Sequence, residues 1–155
     1  MTAILEALIK RKAQTIFDAT WEESGNFRME LDYDLACAYI ECIGQYNDFD
    51  PSLVLTALEH VDDIIPTMQY GEGNPNNGKR DYKISVGREG SPVIYINRYE
   101  LHRMDSPKVP LTPDMVTHVK TAMEGIAQAD EADCKVEDYR QHGMGLRYTF
   151  RFWWD

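Results

Sequence analysis

The residues best suited by type and spacing to chemistry begin with a glycine-rich run. Gly73-Asn74-Pro75-Asn76-Asn77-Gly78-Lys79 follows the G-x-x-x-x-G-K order with which a P-loop wraps phosphate in backbone N–H groups. The eighth position, where a Ser or Thr would hold magnesium, is Arg80, and the run precedes a predicted strand instead of opening a helix. Phosphate cradling by this loop is therefore not expected. The four histidines, His60, His102, His118 and His142, stand far apart, and His60 with Asp63 supplies only half a metal site. No G-x-S-x-G surrounds a serine. Cys37 and Cys42 lie on or beside an apolar helical stripe, where thiols are buried and inert, which leaves Cys134 as the thiol expected to react. No metal or cofactor site is expected, and no pair of carboxylates is singled out as an acid and base.

The acidic residues are the most informative group. The chain has 155 residues and a formal net charge of −10. Residues 1–70 carry −9, residues 71–110 carry +2 and residues 111–155 carry −3. Such a field repels duplex nucleic acid, whose binding relies on Lys and Arg displacing counterions, and attracts cationic partners instead. Some acids serve the helix that they begin. Asp32 or Asp34 and Asp50 cap helices, and Asp114 sits in a first turn. Others sit against the helix dipole. Asp18, Glu22 and Glu23 end the first predicted helix, Glu59, Asp62 and Asp63 the third, and Asp130, Glu131 and Asp133 the fourth. A carboxylate in a last turn costs about 0.3–1 kcal/mol at low salt, so this arrangement is not one that helix stability selects. Solubility alone accounts for some of it, since a net charge away from zero keeps a protein dispersed. The functional alternative is a surface matched to a basic protein, gaining association rate and specificity for a small loss of stability.

A second candidate interface is the C-terminal strand. Leu146, Tyr148, Phe150, Phe152 and Trp154 alternate with Arg147, Thr149, Arg151 and Trp153. Arg147, Arg151 and Trp153 would share the outer face, where cations and a ring could stack on the bases of a single strand. The plainer reading pairs Arg147 and Arg151 with acids on neighbouring strands.

These groups must be held by a fold that the hydrophobic pattern outlines. Ile4, Leu5, Leu8, Ile9, Ala13, Ile16, Phe17 and Trp21 recur at helical spacing up to Ser24-Gly25, and all are expected to face inward. Phe27, Met29 and Leu31 alternate as a short strand. A second helix is predicted over 34–46 and a third from Asp50-Pro51 to Pro66. Tyr82 to Val86 and Val93 to Asn97 read as a hairpin connected through Gly87–Pro92. Thr112-Pro113 opens a fourth helix running to Asp130, and residues 134–140 are predicted to pair with the last strand.

The expected object is an α+β protein, one domain over 1–155, with about four helices on one face of an antiparallel sheet of three to five strands. The helical half comes first and the strand-rich half second. No run approaches the 18 or so apolar residues of a spanning helix. Three cysteines without a C-x-x-C pair argue against a disulfide framework and for a reducing cytoplasm. The expected function is that of a non-enzymatic interaction module. It would inhibit or regulate a basic partner, such as a nucleic-acid-binding enzyme, by phosphate mimicry, a design suited to viral or plasmid accessory proteins. The alternatives are single-strand nucleic-acid binding through the last strand, or a small-ligand pocket between helices and sheet.

Overall fold

A computed structural model describes residues 2–101 and 108–155. Four helices, α1 (Ala3–Thr20), α2 (Tyr33–Ile43), α3 (Pro51–Ile64) and α4 (Pro113–Gly125), accompany five strands. The strands are β1 (Asn26–Leu31), β2 (Lys83–Glu89), β3 (Ser91–Glu100), β4 (Glu131–Asp138) and β5 (Leu146–Trp153). They form one antiparallel sheet in the order β1-β2-β3-β5-β4. This is the α+β arrangement expected, helical first and strand-rich second.

Helix starts follow local chemistry. Thr2 Oγ1 accepts the N–H of Leu5 at 3.2 Å, and Thr112 Oγ1 that of Met115 at 3.2 Å. Asp50 Oδ1 accepts the N–H of Ser52 at 2.9 Å, with Pro51 in the first turn, where its missing N–H costs nothing. Asp32 is the N-cap of α2 by position, without a side-chain cap bond. This helix stops at Ile43, earlier than expected, because Gly44 turns left-handed at φ +70°, and Tyr46 then bridges Phe49 instead of continuing the stripe.

Alternation decides which side of each strand is buried. Ile84 and Val86 of β2, Ile94 and Ile96 of β3, and Tyr148, Phe150 and Phe152 of β5 face the helices and join one hydrophobic cluster with Tyr39, Ile40, Val54, Leu58, Val119 and Met123. Trp154, fully buried just past β5, donates its indole N–H to Ala127 O at 2.8 Å and meets the Phe49 ring edge-to-face at 5.0 Å.

Three local expectations need correction. The β2–β3 turn is made at Gly90 alone, in the left-handed region at φ +73°, so Gly87 and Pro92 lie within paired strands. Helix α4 ends at Gly125, not near Asp130. Gln128 turns left-handed at φ +58° and the Ala129 N–H returns to Met123 O at 3.1 Å, so the chain leaves the helix early and β4 begins at Glu131. Asp130, Glu131 and Asp133 therefore do not end a helix. Finally, Ile4, Leu5 and Leu8 are 76%, 47% and 55% exposed. At 100° per residue they point well away from Ala13, the only fully buried residue of α1, so the first two turns bury little beyond Ile9.

The turn between β4 and β5 is pressed onto the end of β3. An ideal Cβ on Gly145 would lie 1.4 Å from the carbonyl oxygen of Glu100. Gly145→Ala should therefore cost about 1–3 kcal/mol, read as a lower urea midpoint at unchanged slope. An unchanged midpoint would mean that this contact is not made.

Candidate functional site

Several chain segments converge where β2 turns into β3. Arg88 Nη1 donates to Trp21 O at 2.9 Å and the Gly90 N–H to Gly25 O at 2.8 Å, which brings the end of α1 there. The Trp154 N–H meets Pro92 O at 3.2 Å and the Asp130 N–H meets Trp153 O at 2.9 Å, which adds the start of β4 and the last residues. Asp155 then donates its N–H to Asp130 Oδ2 at 2.8 Å, and Asn47 Nδ2 reaches Asp155 O at 2.8 Å, adding the α2–α3 loop. Two of the three predicted carboxylate groups thus occupy one end of the sheet. Asp18, Glu22 and Glu23 lie on the β1 side, Asp130, Glu131 and Asp133 on the β4 side, with Asp48 beside Asn47.

All seven are exposed. Among the described residues, no ion pair reaches Asp18, Glu22, Glu23, Asp48, Asp130 or Asp133, whereas Glu131 takes Arg151 Nη1 at 2.7 Å. Exposed acids on both margins of this end give it a negative potential, offset in part by Arg88 and by Arg151, the register partner of Asp133.

The third predicted group sits at the opposite end, beside the start of β2. Asp62 is not available to a partner. It holds Arg80 bidentately at 2.7 and 2.8 Å and accepts the Tyr82 hydroxyl, while the Arg80 guanidinium stacks 3.4 Å over the Tyr33 ring. Burial by itself would raise the Asp62 carboxyl, but the hydrogen bonds from Arg80 and Tyr82 outweigh it and hold it below the ordinary range. Tyr82 moves the other way, raised by burial and by Asp62. Glu59 and Asp63 remain exposed beside this clamp.

The C-terminal strand presents Arg147, Arg151 and Trp153 on the helix-free face as expected, and two of them are occupied. Arg151 bridges Glu89 at 2.5 Å and Glu131, and Trp153 Nε1 donates to Glu89 O at 3.2 Å. The Tyr95 hydroxyl also donates to Glu89, and Arg28 covers the Tyr95 ring at 3.8 Å. Glu89 is held below the ordinary carboxyl range, first by the Arg151 hydrogen bond. Arg147 is exposed, without a described ion pair.

The thiols are not distinguished as expected. Burial pushes Cys134 up to about 11, as it does Cys37, so neither is appreciably thiolate at neutral pH. Among the described residues, no three His, Cys, Asp or Glu side chains could share a metal ion; His102 lies outside them.

Sequence reasoning missed a cleft at the end of the sheet away from the acidic pole. It measures about 590 Å³ and is lined in part by Lys83, Arg98, Tyr99, Lys108, Tyr139 and Arg147. The surplus of cations over residues 71–110 was the one available signal.

Compared with protein-family models, curated proteins and solved structures, the chain matches none. Among the described residues no helix is long and apolar enough to cross a membrane.

The Asp62 clamp predicts a pH dependence. Because the folded carboxyl titrates below its unfolded value, its stabilisation is complete above about pH 4 and is lost as pH falls through the depressed folded value. Asp62→Asn should lower the thermal midpoint at neutral pH and flatten the acid limb of the stability curve. An unaltered acid limb would exclude the clamp as its source.

Proposed function

We propose that the chain is a non-enzymatic protein-binding module whose acidic pole docks on a basic surface of another protein. The observation that carries this reading is the gathering of Asp18, Glu22, Glu23, Asp130 and Asp133 at one end of the sheet without a described ion pair. Apart from the Gln14 amide on Asp18 and the Asp155 N–H on Asp130, no hydrogen bond among the described residues engages these side chains. Their physical benefit lies outside the molecule, in steering and orienting a cationic partner. Where that partner ordinarily holds nucleic acid, the pole would stand in for phosphates and compete with them. The three free cysteines fit work in a reducing cytoplasm.

The reading differs from the sequence expectation in two parts, the first being that Glu131 is held by Arg151 and left out of the docking surface. Asp62 belongs to an internal clamp, so the Glu59–Asp63 group is set apart from the docking surface. Single-strand binding through β5 draws less support, since Arg151 and Trp153 are engaged with Glu89.

Replacing Glu22, Glu23, Asp130 and Asp133 together by Lys should abolish recovery of a basic protein from the source lysate. The thermal midpoint should fall only slightly, the relief of self-repulsion being offset by loss of the Asp155–Asp130 bond and by a like charge opposite Arg151. The wild-type complex should survive nuclease and weaken steeply with salt. Replacing Glu59 and Asp63 by Lys should leave recovery intact. Capture that persists in the fourfold variant would sink the proposal.

A further inference from the structure

The cleft opposite the acidic pole carries a separate inference, independent of the docking proposed above. Its volume, about 590 Å³, falls within the range of small-molecule sites. In a chain of net charge −10, its wall is cationic, with Lys83, Arg98, Lys108 and Arg147 against Asp81 and Glu30.

These cations fall into two groups. Arg98 and Lys108 are fixed structurally, with Arg98 donating to Glu100 and both forming ion pairs with Asp81 at 3.1 and 3.2 Å. The Arg98 Nε–H has no acceptor among the described residues, but it is shut off from the cleft, since Arg98 is only 2% exposed and shares the inward parity of Ile94 and Ile96. Lys83 and Arg147 are of another kind. Both are exposed, both stand on the helix-free face at this end of the sheet, and neither has a described ion pair. They flank the β3 residues Asn97 and Tyr99, which are their respective register partners. An anion placed over β3 would be approached from β2 by an ammonium and from β5 by a guanidinium, an arrangement suited to the several oxygens of a phosphate.

Rings complete the lining. The Tyr99 hydroxyl accepts the Gly145 N–H at 3.3 Å and the Tyr139 hydroxyl donates to Glu137 at 2.6 Å, so each ring is anchored by its polar end. Met68 and Met144 add polarisable apolar surface beside them. Anchored rings with thioethers suit a planar aromatic group, as charged side chains suit the anion.

We propose that this cleft binds a small phosphate ester bearing a planar ring, of the size of a nucleoside monophosphate. Lys83 and Arg147 contact the phosphate, and Tyr99 and Tyr139 contact the ring.

Calorimetric titration of the full chain with AMP, adenosine and inorganic phosphate, repeated with GMP, CMP and UMP, tests this. AMP should bind at least about tenfold more tightly than either fragment, with affinity falling as salt rises. The Lys83→Glu/Arg147→Glu variant should lose at least about tenfold for AMP with the fold retained, the reversal opposite Glu137 lowering the thermal midpoint only slightly because Lys83 and Arg147 are exposed. Tyr99→Ala should weaken AMP and leave inorganic phosphate unaffected. Displacement of AMP by a short 5′-phosphorylated DNA strand would identify a strand end as the source of the ligand, and failure to displace it would identify the free nucleotide. No binding of any of the four nucleotides, or AMP binding that survives the double charge reversal, would overturn the inference.

Discussion

The structure depends on the strict alternation of β5. This strand pairs with β3 on one side and β4 on the other, so an error of one residue in its register would misplace both neighbours. Its inward set, Tyr148, Phe150 and Phe152, makes the floor on which the helices rest, and Trp154 continues that set past the strand's end. Through its indole N–H and its ring, Trp154 ties the exit of α4 to the α2–α3 loop. The outward set is used as fully: Arg151 and Trp153 both converge on Glu89, whose own strand lies beyond β3. Core and charge pattern are thus two faces of one eight-residue segment.

Charge is divided along the strand direction. Where β2 turns into β3, chain ends and loops deliver carboxylates with few cations to answer them. At the other end, the buried acids among the described residues are matched, Asp81 by Arg98 and Lys108 and Glu100 by Arg98 and the Leu111 N–H, as is the half-buried Asp62 by Arg80. The difference is one of desolvation. An exposed carboxylate keeps its water and can be left unpaired at little cost, whereas a buried one must be paired or protonated. Unpaired acids therefore collect at the surface, and a protein of net charge −10 still builds a cation-lined cleft because its buried acids recruit Arg and Lys nearby.

Much of the architecture was legible because it is written at short range. Asp50-Pro51 and Thr112-Pro113 announce helix starts within a turn, and Leu146–Trp154 alternates without a break. What escaped depends on distance in the chain. The end of α4 is decided at Gln128 and Ala129, where a left-handed residue overrides an apolar pattern that runs on through Ile126 and Ala127. The exposure of Ile4, Leu5 and Leu8 depends on how far α2 extends alongside α1, which periodicity does not report. The pairing of Asp62 with Arg80 spans 18 residues, and the cleft joins residues near 83, 98 and 147 that only the β2-β3-β5 order brings together. Side-chain types were readable for each of these; proximity was not.

The sheet has two open margins, and β4 is the longer. Six of its eight residues, Glu131, Asp133, Lys135, Glu137 and Asp138 among them with Cys134, are polar or ionisable, and five of them carry charge at neutral pH. A margin so charged discourages a neighbouring copy from adding a strand, since its unpaired backbone groups can be reached only by bringing like charges together. That protection lasts only while the carboxylates are ionised. The charge along β4 thus works against strand addition by a second copy.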